Sequence, residues 1–205
     1  KLFLNLALLA ALGASGRTVD LGNGFLDHGV AIPVACHRGT VATAGKDGKN
    51  TVLLWLYDHN GGYALLQIDP ATGRSRQQAV PFPTGGDGPF ASILSSKNRF
   101  YSHYNGYFVE YDPVAEAFTF HGKTTRQMAM SMTEDDAGRI WSATYPGCGV
   151  AAFDPATRKL IDYGRVNQES WAQYPRSIAV DDHGIVNIGI RSEEHTSELQ
   201  SLAYL

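Results

Sequence analysis

The dipeptide Asp-Pro recurs at Asp69, Asp112 and Asp154, at intervals of 43 and then 42 residues, and its surroundings recur with it. Residues 135–164, DDAGRIWSATYPGCGVAAFDPATRKLIDYG, show the unit most fully. Earlier copies run through DGKNTVLLWL to ALLQIDPATGRSRQQAVPFP and through SKNRFYS to YFVEYDPVAEAFTFHGK. A further copy opens with SIAVDDHGIVNIGI, where Ser177-Ile178 before Asp181-Asp182 repeats Ser131-Met132 before Asp135-Asp136. Each unit reads as short alternating strands divided by Gly, Pro, Asn and Asp turns. Asn105-Gly106 is the strongest hairpin signal, since both residues accept positive φ. Asp-Pro makes a corner because Asp bonds its own downstream backbone and Pro fixes φ.

A repeat of this length with four strands per unit predicts blades of a β-propeller. In the best copy the strands are expected over 129–133, 139–144, 149–153 and 159–163. Alternation in the preceding copy places Phe118 and Phe120 on one face and Thr119 and His121 on the other. The expected class is therefore all-β, with about three four-stranded blades and the start of a fourth. Rings close with about four to eight blades, so the chain is expected to be part of a six- to eight-bladed ring.

The two ends read differently. Residues 1–16, KLFLNLALLAALGASG, carry one positive charge, an apolar run and then small residues, the layout of a secretory signal peptide. The run is short for a membrane span, so a secreted or periplasmic protein with no span after cleavage is expected. Residues 191–201, RSEEHTSELQS, match the in-frame translation of a common sequencing adapter, and 191–205 is read as a non-native tail. His195, Glu193, Glu194 and Glu198 then say nothing about metal or acid–base chemistry. The propeller domain is assigned to 17–190. Within it charge is close to neutral, since the whole chain carries −3. That excludes the basic stripe of a nucleic-acid binder. Cys36 and Cys148 leave two readings open, a disulfide or two buried thiols. No zinc spacing is present.

Gly-Arg-Ile-Trp at 138–141, Val-Ala-Ala-Phe-Asp-Pro at 150–155, Leu-Ile-Asp-Tyr-Gly at 160–164 and Tyr-Pro-Arg-Ser-Ile-Ala at 174–179 resemble the blade pattern of streptogramin lyase-like propellers. The pattern is also similar to gluconolactonase-like propellers. The resemblance implies six or seven blades. The lyases place catalytic His after Pro at the entrance of a blade's first strand. Here those positions read Tyr-Pro-Arg at 174–176 and Met-Ala-Met at 128–130, so no catalytic residue carries over.

Blade geometry directs the search for a site. Turns between second and third strands, and connections from one blade to the next, emerge on one rim. Residues that differ between blades on that rim are the candidates. His59 and His103 are expected in equivalent turns, with Tyr104 beside the second, as acid–base groups or as exposed turn residues. His37 is the only third ligand for a metal pair, and no metal or other cofactor is assigned. Arg126, Tyr145, Trp171, Tyr174 and Arg176 form the candidate binding set, because aromatic faces stack on sugars and Arg grips carboxylates. A small-molecule or oligosaccharide ligand follows, with acidic sugars favoured. A His or Tyr beside an Arg-held uronate could remove its C5 proton in a lyase reaction. The alternatives are a non-catalytic binding propeller and a metal-dependent lactonase-like hydrolase. The Asp135-Asp136 and Asp181-Asp182 pairs lack alternating oxygen ligands and read as turns. Met128, Met130 and Met132 read as core.

Overall fold

β-Branched and aromatic residues dominate the central strands, and tight Asp or Gly turns separate them, so backbone pairing is antiparallel between neighbours. The computed structural model describes residues 18–28, 36–57, 63–85, 88–192 and 202–204. A small hairpin, β1 (Val19–Gly22) and β2 (Phe25–Asp27), comes first. Blade 1 follows with β3 (Cys36–Ala44), β4 (Asn50–Tyr57), β5 (Ala64–Ile68) and β6 (Ser75–Ala79). Blade 2 holds β7 (Ser92–Leu94), β8 (Phe100–Tyr104), β9 (Tyr107–Asp112) and β10 (Ala117–Lys123). Blade 3 holds β11 (Met128–Glu134), β12 (Ile140–Tyr145), β13 (Gly149–Asp154) and β14 (Lys159–Arg165). A three-stranded sheet, β15 (Tyr174–Val180), β16 (Val186–Arg191) and β17 (Leu202–Tyr204), occupies the position of blade 4. The expected strands of blade 3 lie within the observed ones to one or two residues.

The segment 191–205, expected to lie outside the domain, supplies β17, whose backbone pairs Asn187 with Tyr204 and Gly189 with Leu202. The outer edge of β16 offers unpaired N–H and C=O groups, and such an edge accepts a strand with little regard to its sequence.

Adjacent sheets bury facing sides against each other, so blades 2 and 3 are covered on both faces. Leu53, Trp55, Leu65, Phe100, Val109 and Tyr111 fill the space between blades 1 and 2. Tyr101, Phe108, Ile140 and Phe153 fill the next interface, and Trp141, Val150, Ile178 and Ile188 the one after. Fully burying one such side chain contributes about 1.5–3 kcal/mol, which is why the middle strands are rich in apolar residues. Successive first strands meet, β3 beside β7, β7 beside β11 and β11 beside β15, so they form the innermost wall.

One expectation fails on a bulge. Phe118 and Phe120 do not share a face. The register in β10 slips at Thr119, pairing Phe118 with Tyr111 and Phe120 with Glu110. Phe118 therefore stacks 6.0 Å from Trp55 in blade 1, while Phe120 lies 4.3 Å from Phe153 in blade 3. A single extra residue reverses the faces beyond it, and periodicity alone does not reveal where it sits.

Similar slips occur in the innermost strands. Pairing skips one residue at Met130 in β11, at Arg176 in β15, and between Arg38 and Val41 in β3. These bulges re-aim side chains beside the central space.

Candidate functional site

Pairing puts Cys36 opposite Tyr57, Met128 opposite Tyr145 and Tyr174 opposite Arg191. The start of each innermost strand and the end of the second therefore share one rim, as the repeat pattern requires. On this rim Arg38 of β3 and Arg176 of β15 reach the same ring, that of Phe90 just before β7. Their guanidinium carbons stand 4.6 Å and 4.9 Å from its centroid. Arg38 also donates from Nε to the Tyr57 hydroxyl at 3.2 Å. Arg176 lies 5.5 Å from the Tyr174 ring, which stacks on Tyr145 at 5.1 Å with planes 14° apart. Among the described residues, neither Arg38 nor Arg176 has a carboxylate partner. Two cations and four aromatic rings thus converge from blades 1, 2, 3 and 4. Such an array binds anions, and rings with a π-face, through charge-assisted hydrogen bonds and stacking.

Gly88 lets this cluster close. A β-carbon there would lie 2.6 Å from the Tyr57 ring, so only glycine permits the segment leading to Phe90 to lie over that ring.

Three of the sequence candidates, Tyr145, Tyr174 and Arg176, are brought together. Tyr174 and Arg176, expected in a connection, lie on β15 itself. Trp171 is partly buried and packs against the interface of blades 3 and 4. Arg126 sits on the flank, donating to the Pro146 carbonyl at 3.3 Å in the turn that follows Tyr145. Arg38, Phe90 and Tyr57 complete the cluster. Arg38 and Phe90 are not among the candidates that the repeat marks. Arg38 precedes Gly39 in the same strand layer as Arg176, but that equivalence requires locating the bulges.

His103 departs from its expected place. It lies within β8 rather than in a turn, is fully buried, and spans two blades. Nδ1 is 3.0 Å from Ser142 Oγ and Nε2 is 2.7 Å from Thr124 Oγ1. The Thr124 hydroxyl donates onward to the Arg126 carbonyl at 3.0 Å. The threonine oxygen therefore accepts from Nε2–H, and Nδ1 accepts from Ser142, which describes a neutral imidazole. Burial pushes the His103 pKa down to about 4, with the Asp162 charge pulling the other way. Tyr104 is likewise inside β8 and fully buried, its hydroxyl pushed well above its ordinary pKa by burial. The turn holds Asn105 and Gly106 instead. His59 lies outside the described residues, as do Asp58 and Asp87. Cys148 is a free, buried thiol, pushed up to about 11 by burial. Among the described residues no group of three or more His, Cys, Asp and Glu could hold a metal ion, and no helix is long and apolar enough to cross a membrane.

No family model matches the chain, and no curated protein sequence matches it. Solved structures do. A streptogramin B lyase superposes with a TM-score of 0.55 at 17% identity, over 85% of this chain and 56% of that one. The fold is a β-propeller. The chain thus spans little more than half the length of the lyase it resembles, and at this identity the likeness is one of fold. The extracellular domain of a one-component system from B. thetaiotaomicron aligns at 17% identity with a TM-score of 0.46, over 75% of this chain and 21% of that one. The tricorn protease aligns at 15% with a TM-score of 0.44, over 76% and 16%.

Proposed function

We propose that this propeller binds an anionic small molecule, an acidic sugar or short acidic oligosaccharide, at the rim formed by Arg38, Phe90, Arg176, Tyr174 and Tyr145. The observation that carries the reading is the convergence of two guanidinium groups on one ring with no described carboxylate to neutralise them. Arg38 is half-buried and Arg176 exposed, and a carboxylate reaching the ring between them meets N–H donors of two planar guanidinium forks. The stacked Tyr145–Tyr174 pair supplies a flat apolar surface beside the charge, the complement of a sugar ring. The apolar leader-like segment at 1–16 supports an exported protein that meets such ligands outside the cytoplasm.

Binding is favoured over acid–base catalysis. His103 and Tyr104 have no route to solvent, and His103 stays neutral far below the pH at which a general base would act. The reading is tested by calorimetry with glucuronate against glucose. Glucuronate is expected to bind and glucose to fail, and Arg38→Ala or Arg176→Ala is expected to weaken glucuronate binding at least tenfold. Equal binding of both sugars, or wild-type affinity in both variants, would sink it.

A further inference from the structure

Arg126 carries the cationic rim past the Tyr145–Tyr174 pair, on an arm that the fold holds in place. The Thr124 hydroxyl donates to the Arg126 carbonyl at 3.0 Å, Thr125 N–H donates to Asp162 at 2.6 Å, and Gln127 N–H donates to the Tyr145 carbonyl at 3.1 Å. Three elements therefore fix the backbone on either side of Arg126. Its stem lies beside Gly149, where a β-carbon would come within 3.2 Å of Arg126 Cγ, so a larger residue there would crowd the stem. The guanidinium ends at the turn between β12 and β13, where Nη1 donates to the Pro146 carbonyl. An arm ordered in advance spends little further entropy on meeting a ligand.

The charge on this arm is not neutralised locally. Asp162 reaches the same connection, but it accepts from the Thr125 N–H, the Thr125 hydroxyl and the Gly164 N–H. Among the described residues Arg126 has no carboxylate partner. Nε is out of reach of solvent, whereas the bond from Nη1 lies at the surface, so the outer edge of the fork is open. Arg126 is thus a third cation of the kind represented by Arg38 and Arg176, on the other flank of the tyrosines. Arg176 lies 5.5 Å from the Tyr174 ring, Tyr174 lies 5.1 Å from Tyr145, and Pro146 follows Tyr145. One carboxylate cannot touch Arg176 and Arg126 together, since such contacts are only about 2.7–2.9 Å long. We infer that Arg126 takes a second carboxylate, so that the rim is built for an acidic oligosaccharide. One uronate lies between Arg38 and Arg176, and another reaches Arg126 across the Tyr145–Tyr174 stack. This rests on the proposed acidic-sugar function and adds that Arg126 sets its preference for chain length.

The test is calorimetry on the purified protein with three probes: glucuronate, 1,4-linked triglucuronate and the methyl ester of that trimer. Wild type is expected to bind triglucuronate about tenfold more tightly than glucuronate, and the uncharged ester more weakly than either. Arg126→Ala should lower triglucuronate affinity about tenfold, far more than glucuronate affinity, so that the advantage of the trimer disappears. Arg126→Lys, which keeps the charge and loses the fork, should restore part of it. Arg38→Ala or Arg176→Ala should weaken both acids alike. If Arg126→Ala keeps the advantage of the trimer, or weakens both acids equally, Arg126 only supports the Tyr145 turn and this inference falls alone. It also falls alone if wild type binds monomer and trimer equally, or if the ester binds as well as the acid trimer while glucuronate binds in the way proposed. If wild type ignores both acids, or Arg38→Ala and Arg176→Ala bind both like wild type, the functional reading falls and takes the role of Arg126 with it.

Discussion

The two rims of this propeller are built from opposite habits. On the far rim, the aspartates that open the turns are held by several donors. Asp135 accepts from the Ala137 and Arg139 backbone, from Arg139 Nε at 2.7 Å and from Trp141 Nε1 at 2.8 Å. Asp112 accepts from Val114 and Ala115 and pairs with Arg99 at 2.9 Å. Asp154 and Asp181 do the same for their own turns. Neighbouring blades are tied there too, Ser96 donating twice to Glu134 and Asn98 to the Ala44 carbonyl. On the near rim, among the described residues, Arg38 and Arg176 meet a ring rather than a carboxylate. Satisfied polar groups repeated in every blade serve the fold. Unsatisfied ones that differ between blades are where free energy is left for a ligand to supply.

Breaking the saturated rim should cost the most stability. The Asp135 side chain is only 5% exposed and holds four donors. Asp135→Ala is expected to destabilise the protein by about 3 kcal/mol, because it strands the Trp141 N–H and the turn amides together. Urea denaturation measures this. Glucuronate affinity of the folded variant should be unchanged, and a parallel loss of affinity would mean that the rims are not independent.

A comparable effect hides between the rims, at His103, and appears only with pH. Its folded pKa is about 4, against about 6.5 for an unfolded histidine. The unfolded chain therefore binds the proton first. Stability from the neutral ring is complete above pH 6.5 and declines as pH falls towards 4, by up to about 3 kcal/mol. His103→Gln should flatten that slope while lowering stability near neutrality. A slope that persists unchanged would place the titration elsewhere.

Much of this architecture is legible in the repeat. Asp-Pro corners, Asp-Gly turns and runs such as Gly149–Asp154 are local signals with local causes, so blade 3 could be read almost to the residue. The site is less legible because it is assembled across blades. Tyr145, Tyr174 and Arg176 stand out as rim residues that break the repeat. Arg38 and Phe90 do not, since their role depends on the bulge between Arg38 and Val41 and on Arg176 reaching Phe90 from another blade, neither of which leaves a period in the sequence. His103 shows the converse error. A histidine at the end of a strand looks like a turn residue until the next blade covers it with Ser142, and only the interface decides its exposure.

Trp171 gives the finest test of the contrast, because it belongs to both habits. Its connection runs along the ligand rim, yet its ring packs against the core of blades 3 and 4. Its backbone is moulded by Arg165, which donates to the Asn167 and Glu169 carbonyls at 2.9 and 3.0 Å. That is the far rim's pattern of saturation transplanted to the near one. Trp171→Ala should therefore cost about 1–2 kcal/mol in stability through lost packing, since the ring is only partly buried. Glucuronate affinity should change less than threefold. A loss of affinity as large as that of Arg176→Ala, with stability intact, would instead put Trp171 against the ligand and extend the site across the whole connection from β14 to β15.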